Sequence, residues 1–271
     1  PARRRRAARS GSLTRGSALG LGVALTWFSL LVLIPLSAVV VTASGGGWET
    51  YAETLTNPQT LAALRLTVVT SVLVTALNIV MGTVIAWVLV RDRFPGKGVC
   101  DVIIDIPFAL PTIVAGLVLL SLYGADSPVG VDVANTRKAV FLALAFVTLP
   151  FVVRTVQPVL EEMEADVEEA AASLGASRAT TFRRVVLPTL VPAIFAGAAL
   201  SFARGISEYG SLVLLSGNLP NRTEVTSVRV LTYLEGGNTA SAAAVATVML
   251  VVALLALVAL DVIQRRVSKR D

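Results

Sequence analysis

The chain has no histidine and only one cysteine, Cys100, among its 271 residues. A single thiol cannot form an internal disulfide, and without histidine a Cys/His metal site cannot be assembled. Charged residues make up only 15% of the sequence, whereas hydrophobic residues make up 55%, and the mean hydropathy is +0.76. A soluble domain of this length has a more polar composition, so these values indicate a protein of the lipid bilayer.

The sequence also lacks a phosphate-binding loop of the form Gly-x-x-x-x-Gly-Lys-Ser/Thr. The stretch Gly96-Lys97-Gly98 has neither the hydroxyl residue nor the upstream glycine that this loop requires. We therefore expect no catalytic residues, no metal site and no cofactor in this chain, and any ATP must be hydrolysed by a partner. The net charge of +5 does not indicate nucleic acid as a partner, because the basic residues are distributed as membrane-topology signals.

Six stretches are long and apolar enough to cross a bilayer, which requires about 20 residues each. They are residues 19–42, 66–90, 102–123, 139–160, 188–215 and 239–260. The sequence therefore predicts an all-α, polytopic membrane protein. Pro107 and Pro111, followed by Thr112, interrupt the hydrogen-bond ladder of the third stretch. This kink is either a moving gate or a static packing feature.

The basic residues orient these stretches. They concentrate in residues 1–18, 91–97, 154–184 and 265–270, which lie on one side if six spans are drawn. The opposite loops contain only Arg65, Arg137, Lys138, Arg222 and Arg229. The excess of positive charge predicts that both termini face the cytoplasm. We interpret residues 1–18 as a basic cytoplasmic tail that can contact anionic lipid, and residues 19–271 as one transmembrane domain.

A charged segment at residues 161–188 separates two of the apolar stretches. Its first part predicts an amphipathic helix over 161–174, because apolar residues recur at helical spacing. These residues are Met163, Val167, Ala170, Ala171 and Leu174. Gly175 predicts the end of this helix in a left-handed conformation, and Ser177 predicts the cap of a second helix. Pro188 predicts the start of the next span.

This segment resembles the signature loop of the membrane subunits of bacterial ABC importers. The matching residues are Glu169, Ala170, Ala171, Gly175, Val185, Leu187 and Pro188. The one departure is Val185, where the family more often has isoleucine. The resemblance implies the type I permease fold of ABC importers. It also implies that residues 161–188 form a cytoplasmic loop whose coupling helix binds an ATPase subunit.

Three further stretches resemble the T-type permease subunit of sulfate/thiosulfate importers: residues 104–124, 146–162 and 202–220. This resemblance implies a complex with a second, W-type permease, two ATPase subunits that bind ATP and Mg²⁺, and an extracytoplasmic sulfate/thiosulfate-binding protein. Molybdate and tungstate permeases also have a proline-rich third span, so they remain an alternative. The implied location is the bacterial inner membrane.

Arg204 and Glu208 are four residues apart in the fifth apolar stretch and can meet on one helix face. Charges at this depth are costly unless they are paired or hydrated. One interpretation places Arg204 beside the transport path, where it would attract a divalent anion. The favoured interpretation is a salt bridge that fixes the packing of the helix.

Two other classes of membrane protein compete with the importer interpretation. A secondary transporter would need coupling-ion sites and usually an inverted repeat, and we find no persuasive internal repeat. A membrane-embedded enzyme would need a nucleophile, metal ligands or paired carboxylates within the spans. Asp101 and Asp105 are the only close carboxylate pair, and we expect them to pair with Arg91, Arg93 and Lys97 at the membrane surface.

Overall fold

The computed structural model describes residues 15–163 and 165–268, and for residues 15, 165–168, 267 and 268 the backbone alone. The described part is helical and contains no strand. Its helices are α1 (Gly16–Gly45), α2 (Gly47–Thr56), α3 (Pro58–Arg91), α4 (Lys97–Ala109), α5 (Thr112–Tyr123), α6 (Arg137–Glu162), α7 (Ala165–Ser173), α8 (Arg178–Ile206), α9 (Gly210–Leu215), α10 (Thr226–Glu235) and α11 (Thr239–Ser268). Short π-helical turns interrupt α1 at Ser29–Leu33 and α8 at Phe182–Val186. The all-α prediction is confirmed.

Five helices of the described part are long and apolar enough to cross a membrane: α1, α3, α6, α8 and α11. A sixth span results if α4 and α5 are counted together, although they are bent by 117° relative to each other. The prediction of about six spans therefore holds, but the third one is broken. Pro111 favours the break, because helical geometry is disfavoured at the residue before a proline. Leu110 accordingly is extended, with φ −86° and ψ 136°.

The helices α3, α6 and α8 pack against one another at the centre of the bundle. Val152 of α6 lies at the point where the other two helices come nearest. A Cβ on Gly82 of α3 would lie 2.8 Å from the Cβ of Val152. A Cβ on Gly197 of α8 would lie 2.9 Å from the Cα of Val152. Glycine at both positions lets the three backbones approach closely. Such close packing is typical of helices in a membrane, where the hydrophobic effect does not drive their association.

Two apolar clusters fill the centre of the bundle at its two ends. The loop-end cluster lies towards the charged segment and consists of Ala86, Leu89, Val152, Val153, Val156, Leu160, Val186, Leu190 and Ile194. The far-end cluster consists of Val74, Leu119, Ala139, Val140, Ala143, Leu144, Leu212, Leu215, Val225 and Val228. Outside this centre, α11 packs on α8 and α1 packs on α11. The most apolar part of α1 has no buried residue within this chain.

The fifth span also ends earlier than the sequence predicts. The predicted span over 188–215 is wrong, because α8 stops at Ile206 and the chain turns before the short helix α9. Ser207 has φ −95° and ψ 0°, outside helical geometry, and Tyr209 has φ −131°. The apolar composition continues through α9 because Leu212 and Leu215 are buried in the far-end cluster. Hydropathy alone does not distinguish such a buried short helix from the continuation of a span.

Candidate coupling loop and membrane path

The charged loop begins with a break that the sequence did not indicate. α6 ends at Glu162, and Met163 follows with φ −75° and ψ 112°. Arg91 of α3 donates a hydrogen bond from Nη2 to the carbonyl oxygen of Met163, at 3.3 Å. The side chain of Met163 packs against the loop-end cluster. The prediction of one helix over 161–174 is therefore wrong: the loop helix α7 starts at Ala165, and Met163 contacts the core of its own chain instead.

Gly175 ends the loop helix as predicted. It has φ +83°, and the backbone N–H groups of Gly175 and Ala176 donate to the carbonyl oxygens of Ala172 and Ala171, at 2.9 and 3.0 Å. This pair of bonds closes a Schellman motif, in which the left-handed residue is usually glycine. A Cβ on Gly175 would meet nothing within 4 Å. The backbone conformation alone, and not a shortage of space, therefore demands glycine here.

Ser177 begins the next helix, and this helix continues into the membrane. The Ser177 Oγ accepts a hydrogen bond from the backbone N–H of Thr180 at 3.3 Å, so the predicted cap is confirmed. The prediction that Pro188 starts the span is wrong, because α8 runs without interruption from Arg178 to Ile206. The π-helical turn ahead of Pro188, in which Leu187 N–H donates to the Phe182 carbonyl, provides the wider spacing that a proline inside a helix needs. Both Leu187 and Pro188 are half-buried.

The loop helix presents small and apolar side chains outward. Leu174 is 89% exposed, Ala170 is exposed, and Ala171 is half-buried. Val167 lies within α7, but its side chain is outside the described residues. A leucine this exposed, on a loop outside the apolar spans, has only water around it unless a partner covers it.

A crevice of about 510 Å³ separates the loop helix from the bundle. Glu169 and Arg178 line it from the loop, and Trp87 and Arg91 line it from α3. Trp87 and Phe182 close its base with an edge-to-face contact, their ring centroids 5.5 Å apart. The side chain of Glu169, which is exposed, therefore lines the same crevice as both arginines.

The broken third span crosses α9. A Cβ on Gly116 of α5 would lie 2.7 Å from the carbonyl oxygen and 2.8 Å from the Cα of Ser211. Thr112, at the first turn of α5, lies against Gly210. Of the three residues predicted to form a kink, Pro107 lies inside α4, Pro111 caps α5, and Thr112 contacts the crossing. The structure therefore joins the kink to the segment that follows Arg204 and Glu208.

Arg204 and Glu208 form a salt bridge, with 2.6 Å between Arg204 Nη2 and Glu208 Oε2. The Glu208 side chain is fully buried, whereas that of Arg204 is 29% exposed. Glu208 Oε1 also accepts hydrogen bonds from the backbone N–H and the hydroxyl of Ser211, at 2.8 and 2.9 Å. Because Ser211 lies in the first turn of α9, the carboxylate links the end of α8 to the start of α9. The sequence predicted the pair but not this second role of Glu208.

A second charge cluster was assigned the wrong partner by the sequence analysis. Asp101 and Asp105 of α4 were expected to pair with basic residues of the adjacent turn, but both accept from Arg154 of α6, at 2.7 Å each. Arg154 also donates to the backbone carbonyl of Asp101. One guanidinium thus ties α4 to α6. A charge inside the fourth apolar stretch was the available signal, because such a charge requires a counter-ion.

A third polar cluster, which the sequence analysis did not recognise, lies near the far end of the bundle. Glu224 accepts a hydrogen bond from Gln59 at 2.7 Å and lies 4.0 Å from Arg229. The Arg229 guanidinium lies 4.3 Å from the ring centroid of Tyr233, whose hydroxyl also contacts Thr60. The Arg229 and Glu224 side chains are only 9% and 4% exposed. This cluster joins α10 to the start of α3.

Curated proteins resemble the chain over most of its length. The proteins named sulfate transport system permease protein CysT from Salmonella typhimurium and Escherichia coli are each 42% identical over 262 residues, covering 94% of this chain and 95% of theirs. The protein of the same name from Synechocystis is 41% identical over 230 residues, covering 82% of this chain and 80% of its own.

Solved structures share the fold at lower sequence identity. A chain of the bacterial alginate ABC transporter in complex with alginate pentasaccharide-bound periplasmic protein superposes with a TM-score of 0.77 at 19% identity, covering 93% of this chain and 94% of that one. A chain of the MetNI methionine ABC transporter, in an inward-facing conformation, gives a TM-score of 0.59 at 19% identity, covering 76% and 95%. The predicted fold of an ABC importer permease is confirmed. The family model described as binding-protein-dependent transport system inner membrane component matches residues 78–270, and the chain belongs to that family.

Proposed function

We propose that this chain is the transmembrane subunit of an ATP-driven importer for sulfate or thiosulfate, and that it forms half of the translocation path. The relatives at 42% identity, which align over nearly their whole length, are named sulfate transport permeases, and this supports sulfate as the substrate. The chain itself performs no catalysis. ATP and Mg²⁺ belong to a partner subunit, since the chain has no phosphate-binding loop.

The exposed tip of the loop helix is the observation that carries the proposed coupling. Leu174 is 89% exposed and lies beside small alanines that permit close approach. A leucine this exposed gains about 1.5 to 3 kcal/mol when a partner buries its side chain, and the small side chains beside it let that partner approach. We assign Val167, Glu169, Ala170, Ala171 and Leu174 to the contact with the ATPase. Met163 supports the loop from within its own chain.

The loop transmits motion because both of its ends connect directly to central helices. α6 leads into it through Glu162, and α8 leaves it at Arg178. The Schellman turn at Gly175 fixes the angle between α7 and α8. When ATP closes the ATPase dimer, α7 moves with it, and α6 and α8 rotate so that the path opens to the outside.

The resemblance to sulfate importers supports the remaining partners of the proposed complex. A second, W-type permease completes the path, two ATPase subunits bind the two coupling loops, and an extracytoplasmic binding protein delivers the anion. Both termini and the coupling loop lie in the cytoplasm, according to the distribution of basic residues.

Purification of the tagged chain in mild detergent, followed by identification of the bound proteins and by sulfate uptake in proteoliposomes, tests this proposal. We expect an ATPase and a second permease to co-purify. Uptake should require ATP on the side of the membrane on which the ATPase subunits lie. Competition with thiosulfate and molybdate identifies the anion. Uptake that follows an ion gradient without ATP, or a preparation without an ATPase, would contradict the proposal.

A Leu174→Asn variant tests the contact itself. Because Leu174 is exposed, the substitution leaves the fold intact and removes the apolar contact, so we expect loss of the ATPase during purification, equivalent to about 2 kcal/mol. Val129→Asn is the matched control, since Val129 is 56% exposed in the loop between α5 and α6, at the other end of the bundle. That variant should retain the ATPase.

A further inference from the structure

We propose that Arg65, Arg137 and Lys138 form an entry site for an oxyanion at the end of the membrane domain opposite the coupling loop. This inference rests on the proposed function and extends it, since it assigns residues to the first place where the released anion is held. Arg137 begins α6 and the coupling loop follows its last residue, Glu162. The 26 residues of α6 separate the two ends by about 39 Å.

The three side chains line one groove between α3 and α6, with a volume of about 610 Å³. Arg65 contributes from α3, and Arg137 and Lys138 contribute from α6. Arg137 and Lys138 also line an adjacent cavity of about 450 Å³, together with Arg222. Two helices and a loop, far apart in sequence, thus bring four cationic side chains to one place.

The N-terminus of α6 adds further positive potential. Arg137 and Lys138 are its first two residues, and its first turn contains no acidic residue. Thr136 caps the helix through its hydroxyl, which accepts from the Ala139 N–H at 3.3 Å. The start of a helix favours negative charge, so two cations placed there repel its dipole. An anion bound at this position would satisfy both the dipole and the cations.

The charge of this groove is not balanced within the described part of the chain. Arg154, Arg204 and Arg229 each lie within 4.0 Å of a carboxylate, whereas the residues that line the groove include no acid. The adjacent cavity contains one acid, Asp132, whose carboxylate accepts from the backbone N–H of Ala134 at 3.0 Å. Arg137 donates from Nε to the carbonyl oxygen of Arg222 at 3.0 Å, which holds the guanidinium without neutralising it.

The shape of the groove favours a small anion. It continues along α3 from Arg65 past Thr70 to Leu73, a distance of about 12 Å by helix rise. A tetrahedral oxyanion is small enough to enter this groove, where the hydroxyl of Thr70 would offer it a hydrogen-bond donor beyond the cations.

The electrostatic part of this proposal can be measured in the assembled complex with one reporter cysteine. Val69 lines the groove and is 48% exposed, so Val69→Cys in a Cys100→Ser background gives a single thiol at the site. We expect an anionic methanethiosulfonate to react faster than a neutral one. Replacing Arg65, Arg137 and Lys138 together by Gln should slow the anionic reagent about tenfold and leave the neutral reagent unchanged. Arg93→Gln, which removes an exposed cation at the other end of the bundle, is the control and should change neither rate.

Sulfate protection distinguishes binding from general attraction. Millimolar sodium sulfate should slow the anionic reagent in the reporter protein more than sodium chloride of equal ionic strength, and this difference should disappear in the triple variant. Equal effects of the two salts, or an unchanged rate in the triple variant, would overturn the entry site.

Transport measurements separate the failure of this inference from failure of the proposed function. If the unmodified complex takes up no sulfate, the proposed function fails, whatever the thiol rates show. If it takes up sulfate, we expect the KM of each single Gln variant to rise several-fold and Arg137→Lys to restore it partly. Normal uptake by the Gln variants would overturn the entry site alone. The Gln variants could instead lose affinity for the binding protein while sulfate still protects the thiol. That result would make the cations a protein-docking surface and would also overturn the entry site.

Discussion

Gly175 lies at the turn that joins the loop helix to α8, and its constraint is purely one of backbone conformation. Its φ of +83° is unfavourable for a side chain, although open space surrounds the position of a Cβ. A substitution here therefore changes the direction of the loop helix without disturbing any packing. This separates the geometry of the loop from the stability of the bundle.

We expect Gly175→Val to abolish transport while the protein still inserts and accumulates, because a β-branched residue is strongly disfavoured at positive φ. Gly175→Asn is the matched control, since asparagine tolerates the left-handed region. The measurement is the ATPase activity of the assembled complex that depends on the binding protein. Equal activity of the Val and Asn variants would show that the angle at Gly175 does not matter.

The buried pair at the end of α8 is asymmetric, because Glu208 is fully buried and Arg204 is 29% exposed. Arg204→Gln leaves a buried carboxylate without its cation, which costs about 3 kcal/mol or more. Glu208→Gln keeps an amide oxygen that can still accept from Ser211. We therefore expect the Arg204 variant to melt at a lower temperature than the Glu208 variant, and the double variant to recover most of the loss.

Thermal melting in detergent and sulfate uptake decide between the two interpretations of this pair. Recovery of both properties in the double variant supports a structural role. A double variant that melts normally but does not transport sulfate would instead place Arg204 in the path.

Local chemistry made some of these residues predictable. Gly175, Ser177 and the Arg204–Glu208 pair act through neighbours within four residues, so the sequence contains the whole interaction. Arg154 pairs with carboxylates 49 and 53 residues away, and its partners depend on how α4 packs against α6. The cation was visible in the sequence, but its counter-ions were not.

At the level of elements, apolar stretches located the spans but not their interruptions. The break at Leu110 had a signal in the sequence, because Pro111 disfavours helical geometry at the residue before it. The break at Met163 had no such local signal: its carbonyl oxygen accepts a hydrogen bond from Arg91, 72 residues earlier in the chain, and its side chain packs on the loop-end cluster. Pro188 was misread because the π-helical turn before it accommodates a proline inside a continuous helix.

The two prolines of the third span should therefore differ in their effect. Pro111→Ala frees Leu110 to become helical, so we expect α4 and α5 to straighten and the contact of Gly116 with Ser211 to be lost. Pro107→Ala, inside α4, removes a helix-breaking residue and is expected to preserve the fold and the transport rate. Sulfate uptake normalised to the amount of protein in the membrane provides the comparison. Equal uptake by both variants would mean that the bend at Pro111 does not matter for transport.

At the level of the whole molecule, composition was sufficient for the class of protein, and the signature loop was sufficient for the family. The order of packing was not predictable, because it depends on small residues at close contacts, such as Gly82 and Gly197 against Val152. The entry groove combines Arg65 with Arg137 and Lys138 for the same reason: the packing of α3 on α6 brings them together. In the sequence, these cations were only exceptions to the positive-inside pattern.

The orientation of the molecule in the membrane gives a prediction at this scale. In a Cys100→Ser background, Val129→Cys should react with an impermeant thiol reagent in intact cells, because it lies in the loop between α5 and α6. Arg93→Cys, in the turn between α3 and α4, should react only after the membrane is opened. The reverse pattern would place the coupling loop outside the cell and would exclude contact with an ATPase.

The packing of α1 on α11 has a consequence for biosynthesis. Ala43 of the first span meets Ala243 and Ala244 of the last one, and the most apolar part of α1 has no buried residue within this chain. Synthesis of the intervening residues takes on the order of ten seconds or more at ribosomal speed. During that interval α1 lacks α11, the helix against which it mainly packs. Closure of this side of the bundle is thus postponed until α11 has been synthesised.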